Sequence, residues 1–322
     1  MMKKTKSKTE NDYRDLLESI RLLLLRNGGE SRTFGSVVQE YTASMQTEHR
    51  MKSCKLYRVA CGRLMKYMKR DFALSELTPL HIQGLADELY REGVSETTVR
   101  IYLTLVRVVL NYAVKMNYVG YRVHPFALFR LPPAAVRERD LSVEELKHLR
   151  DLPLFGEPAT AARDVFMLTY YLGGINLRDL LAYDFRGKNC MSYVRHKTSR
   201  TRQNGGEIVF TIQPEAHLII YKYMGADGKL SFGRYHTYEQ IYSLVYRYIG
   251  RIAALAGIER KVSYYSARKS FAQHAYNAGF RIEQIEYCIG HSMKSNRPIF
   301  NYVRIMREQA DCVFRTILDQ LL

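Results

Sequence analysis

Four short segments in the later part of the chain carry cations, imidazoles and phenols beyond what packing requires. They are Tyr193-Val-Arg195-His-Lys197, Tyr264-Tyr-Ser-Ala-Arg268-Lys, Cys288-Ile-Gly-His291 and Pro298-Ile-Phe-Asn-Tyr302. Guanidinium forks hold oxyanions in a fixed geometry. Amines and imidazoles move protons, and a phenol attacks once its surroundings favour the ionised form. Taken singly, each segment has an ordinary explanation, such as a solvated lysine on a hairpin or a Gly-His helix cap with a cation near the dipole. Their order is what singles them out: Lys, then Arg in a helix start, then Gly-His at a helix end, then Tyr.

The elements that must position these residues are mostly helical. Two strand signals, over 191–195 and 207–212, flank a turn-rich basic stretch and read as a β-hairpin with a cationic loop. Helices are expected over 214–224, 237–255, 266–278 and 281–289, the last three followed by Gly257, Gly279 and Gly290 as stops. A final amphipathic helix over 304–322 has an apolar stripe of Ile305, Val313, Phe314, Ile317, Leu318 and Leu321. That stripe suits either its own domain or a neighbouring protomer.

The earlier part reads as helix after helix with no alternating strand. Thr78-Pro79 marks a helix start, N-cap then proline at the first helical position, with an end near Arg91 before Gly93. Over 96–117, Val99, Tyr102, Leu103, Val106, Leu110, Ala113 and Val114 form an apolar stripe. Arg100, Thr104, Arg107, Asn111 and Lys115 fall on the opposite side, a cationic face that fits a phosphate backbone or simply solvent. The proline-bearing run through Leu131-Pro132-Pro133 reads as a linker, and Ser142-Val-Glu-Glu145 as a capping box beyond it. The expected domains are a basic helical appendage over 1–32, with a helix near 12–26, a helical domain over 33–133 and a larger domain over 137–322.

Composition narrows the partner. With 49 Lys+Arg against 32 Asp+Glu the net charge is +17, which favours an anionic polymer or membrane surface. A hydrophobic content of 47% rules out global disorder. The five cysteines are scattered, without metal-ligand or disulfide-framework spacing, and charges interrupt the N-terminal apolar run. A cytoplasmic protein is expected, with no signal peptide, membrane span, metal or cofactor.

The ordered segments resemble the tyrosine recombinase (phage integrase) family, and the likeness runs from about residue 34 to the C-terminus. It implies a helical core DNA-binding domain followed by a mixed, mainly α catalytic domain with a small β-hairpin. Residue by residue, Lys197 matches the family's hairpin lysine, Arg268 the arginine of His-x-x-Arg, His291 the Gly-His histidine and Tyr302 the nucleophile. The implied activity is site-specific DNA recombination through a 3′-phosphotyrosine, by a homotetramer on two duplexes, with Arg100, Arg107 and Lys115 as DNA contacts.

Three positions depart from the pattern. Tyr265 stands where the family has the His of His-x-x-Arg. The interval from His291 to Tyr302 is longer than the commonest spacing, which would put Phe300 at the nucleophile's place. The early arginine of Arg-x-x-Glu-Leu is Asn176. Arg178 lies two residues on, and two steps of a regular helix turn a side chain by about 200°. Arg195 is the better substitute, since Arg195 and Lys197 would share one face of a strand. The missing early arginine and the Tyr265 replacement leave a second reading, a DNA-binding protein that no longer cleaves, and a type IB-like topoisomerase with the same phosphotyrosine chemistry is a third.

Overall fold

The computed structural model describes residues 32–47, 50–133, 138–196, 207–291 and 307–322. The expected helix near 12–26, Lys197, Ile305 and Tyr302 lie outside them. The chain divides into two compact units, Met1–Val136 and Arg137–Leu322.

In the first unit, helices α1 (Phe34–Thr47), α2 (Met51–Tyr67), α3 (Pro79–Arg91) and α4 (Glu96–Lys115) pack around α4. Pro79 takes the first helical position, and Gly93 ends the turn after α3 at φ 74°. From α4, Val99, Leu103, Val106, Val109, Leu110 and Ala113 are completely buried. Val114, expected in that stripe, is instead exposed, and Tyr102 is only half-buried. At 100° per residue Val109 and Val114 fall on opposite margins of the stripe, and the structure buries only the first.

The second unit contains α5 (Val143–Asp151), α6 (Glu157–Tyr171), α7 (Leu177–Ala182), strands β1 (Cys190–Tyr193) and β2 (Ile208–Thr211), and α8 (Pro214–Tyr223). It continues with α9 (Tyr238–Leu255), α10 (Tyr264–Asn277), α11 (Ile282–Cys288) and α12 (Arg307–Asp319). Helix α6 is its centre. Residues from Val165 to Tyr171 are all buried, so it is surrounded rather than striped, and α8, α9 and α10 pack against it. The Ser142–Glu145 capping box opens α5, with Glu145 N–H donating to Ser142 Oγ at 3.1 Å.

The hairpin is antiparallel, in the register Cys190 to Thr211 and Tyr193 to Ile208. It stops at Tyr193, two residues short of the expected strand, so Arg195 does not sit on a strand face. The chain leaves the ladder because His196 N–H turns to Asp179 Oδ1, at 3.0 Å, while Arg195 reaches the end of α11. Helix α10 begins at Tyr264, earlier than expected, because Ser263 is its N-cap. Of the two options for the last helix, the structure takes the first: Val313, Phe314, Ile317, Leu318 and Leu321 are buried in their own unit. Phe314 stacks on Phe210 with centroids 4.3 Å apart, and Asp311 accepts from Thr211 N and Oγ1, both at 2.6 Å. Among the described residues, no helix is long and apolar enough to cross a membrane.

Candidate active site

Two helix ends meet at Arg268. Helix α6 closes with Gly174 N–H on Thr169 O at 2.7 Å and Gly173 N–H on Tyr170 O at 3.0 Å. Helix α11 closes in the same way, with His291 N–H on Glu286 O and Gly290 N–H on Tyr287 O, both at 2.8 Å. Each is a Schellman cap, which needs a residue in the left-handed region at its first position beyond the helix. Gly173 (φ 69°) and Gly290 (φ 67°) supply it. The Gly-His pair is therefore a helix cap, and the cap is what shapes the site.

The caps leave carbonyls that no helix uses, and arginines take them. Arg268, on α10 and 7% exposed, donates through Nη1 to Gly174 O at 2.8 Å and through Nη2 to Ile289 O. Arg195 donates through Nη1 to the next carbonyl, Gly290 O, at 3.0 Å. Two guanidinium groups thus stand on consecutive carbonyls of one turn. A Cβ on Gly174 would lie 2.5 Å from Arg268 Cα, and one on Gly290 would lie 2.8 Å from Arg195 Cδ, so both backbones must be bare for the arginines to fit.

The electrostatics are unbalanced. Burial, and then the charge of Arg195, push Arg268 below the usual guanidinium value. Among the described residues neither arginine has a carboxylate partner, and Arg195 Nε is buried without an acceptor. Two adjacent, partly desolvated cations with a spare N–H form a receptor for an oxyanion.

The early corner differs from the sequence expectation. Asn176 does not lie on a regular helix: it is the N-cap of α7, its side chain accepting from Arg178 N at 3.0 Å. The helix-face comparison between positions 176 and 178 therefore does not apply. Arg178 still stays out of the pair, its guanidinium 5.2 Å from the centroid of the Tyr238 ring. Tyr265 is 53% exposed on the first turn of α10, while its neighbour Tyr264 turns inward and donates to Ile175 O at 3.0 Å. His291 is exposed beside the arginine pair. Sequence reasoning missed Asp179, a buried carboxylate that fixes His196 N–H and so the start of the hairpin loop. Its signal was present, because Asp179-Leu180 occupies the Glu-Leu end of the family pattern.

On α4 of the first unit, Arg107 and Lys115 are exposed. Arg100 is half-buried, and its guanidinium is held by Pro132 O. Arg107 also presses on His124, whose pKa is lowered by burial first and by that charge second. Among the described residues, no cluster of His, Cys, Asp and Glu is placed to hold a metal ion.

Residues 33–127 match the phage integrase SAM-like domain. Two tyrosine recombinases XerC align at 24% identity. The one from Pelotomaculum thermopropionicum aligns over 51% of this chain and 57% of its own length, and the one from Syntrophus aciditrophicus over 71% and 77%. The chain thus carries a phage integrase SAM-like domain and is similar to tyrosine recombinases. It spans little more than half the length of the Pelotomaculum relative. The fold is similar to that of a lambda integrase dimer bound to a COC′ core site, with a TM-score of 0.62 and 14% identity over 88% of this chain and 80% of that one. The Tn1549 transposon integrase in complex with transposon right end DNA gives 0.56 and 13%, over 90% and 99%. This structural likeness is one of fold.

Proposed function

We propose that this protein is a tyrosine recombinase that cleaves and rejoins duplex DNA at specific sites, with Arg268 and Arg195 as the clamp on the scissile phosphate. The observation that carries this reading is the guanidinium couple on the Ile289 and Gly290 carbonyls, which has no carboxylate partner among the described residues. A phosphodiester between them would gain charge-assisted hydrogen bonds, and its negative charge would relieve the repulsion between the arginines. In this reading Arg195 supplies the cation that relatives take from the early corner, where this chain has a bare glycine turn and the N-cap Asn176.

The chemistry needs a covalent intermediate, because the broken bond must be remade without an outside energy source. Tyr302 Oη attacks phosphorus, forming a tyrosyl ester to the 3′ phosphate and breaking the bond to the 5′ oxygen. Lys197 protonates that oxygen, and His291 contacts the phosphate or handles the phenol's proton. Preorganised cations stabilise the charge that builds in the crowded transition state. Rejoining is the reverse attack by a 5′ hydroxyl. Tyr265 lines the rim in place of an imidazole, and the face of α4 follows the DNA backbone through Arg107 and Lys115. Lambda integrase has been captured as a tetramer on a Holliday junction, and a homotetramer on two duplexes is the assembly proposed here.

A nicked suicide substrate carrying the native site tests the reading. Wild type should form a protein–DNA adduct that survives denaturing gels, and Tyr302→Phe should not. If wild type forms no adduct on its proven site, the scaffold binds DNA without cutting it.

A further inference from the structure

Arg268 does not grip the α6 turn alone. Tyr264 precedes it by four residues on α10, so both side chains project from one face of that helix. Arg268 bonds the Gly174 carbonyl and Tyr264 Oη bonds the next one, Ile175 O, at 3.0 Å. From the other side, the completely buried Thr169, in the last turn of α6, places its hydroxyl 2.9 Å from Tyr264 Oη and 2.8 Å from Val165 O. One hydroxyl proton bridges those two acceptors, and the phenol proton is committed to Ile175. Gly173 and Gly174, both at positive φ, offer no side chains by which the turn could anchor itself.

We propose that Thr169 and Tyr264 form a hydroxyl brace that fixes the Gly173–Asn176 turn and, through the Gly174 carbonyl, the angle of the Arg268 guanidinium. Tyr264 is then a positioning residue of the phosphate clamp, an inference that rests on the function proposed above. Burial raises the phenol's pKa above its ordinary value, so the hydroxyl keeps its proton at neutral pH. Without the phenol hydroxyl, the Ile175 carbonyl is left buried without this donor and the turn is free to tilt. A misplacement of about 1 Å in a clamp costs as much as 10²-fold in rate.

Single-turnover cleavage and DNA affinity, measured side by side on the suicide substrate, test the brace. Tyr264→Phe keeps the ring and should slow cleavage by about 10- to 100-fold with unchanged affinity. Thr169→Val should act in the same direction, the double variant should be no slower than the worse single one, and Thr169→Ser should restore the rate. Cleavage by Tyr264→Phe within about twofold of wild type, or affinity falling in step with rate, overturns the proposal. A readout independent of cleavage is the nuclear magnetic resonance of the Arg268 Nη groups, expected as separate, slowly rotating signals in wild type and merged in Tyr264→Phe. Merging in a protein that forms no adduct leaves the brace standing and removes the DNA-cleaving function; unchanged signals remove the brace.

Discussion

The α4 face and the Arg195–Arg268 pair both concentrate positive charge, by opposite means. On α4 the cations lie along a regular helix, and Arg107 and Lys115 stand in water. At the pair the cations are drawn inward and held by backbone carbonyls at two helix ends. Exposed charges are screened within about 10 Å at 0.1 M salt and act mainly by counterion release. Charges held in a partly dry site act on one group in one geometry. Under the proposed function, the difference would give affinity to the first region and chemistry to the second.

The sharpest way to break that division is at the pair. Tyr302→Phe should abolish the covalent adduct. Arg268→Ala should lower the single-turnover cleavage rate by about 10² to 10³ while gel-shift affinity changes little. Arg195→Ala should behave in the same way, and Arg178→Ala, whose guanidinium rests on Tyr238, should cleave nearly as wild type does. A dead Arg178→Ala variant with an active Arg195→Ala one would mean that the clamp is built from α7 rather than from the hairpin.

Next in size is the bare turn. Gly174→Ala places a Cβ 2.5 Å from Arg268 Cα at φ 71°, which should cost about 1 to 3 kcal/mol of stability by thermal or denaturant unfolding. Cleavage should fall further than that loss explains, because the clamp moves with the turn. The smallest effects belong to α4. Arg107→Ala and Lys115→Ala should each reduce the log–log salt slope of DNA binding by about 1, without changing the cleavage rate at saturating DNA. Arg100→Ala should leave that slope alone, since the guanidinium is engaged by Pro132 O. An equal slope change in all three variants would show that Arg100 releases the linker carbonyl to bind phosphate.

Local signals made much of this architecture legible in the sequence. Thr78-Pro79 and the Ser142–Glu145 box each opened a helix where expected, because capping depends on a few neighbouring residues. Helix α6 went unread because it is buried all round and shows no stripe to set a period. In the site, the Gly-His pair was legible both as a cap and as a family position. That the cap would leave two carbonyls for two arginines was not, because the partners come from segments 21 and 95 residues away. The strand reading for Arg195 failed for a related reason: Asp179, not the ladder, decides where β1 ends. At Asn176 the pattern match was sound, but the backbone had already turned into a cap.

The double anchorage on one turn also has an entropic meaning. A free arginine side chain carries about 2 kcal/mol of rotamer entropy, and a site that ordered two of them on arrival of its ligand would lose that much twice from its affinity. Here the ordering happens when the chain folds, and the anchors are main-chain oxygens whose spacing no side chain at 289 can alter. The side chain at position 289 is therefore free to vary with the core around it, whereas position 290, at φ 67°, is not.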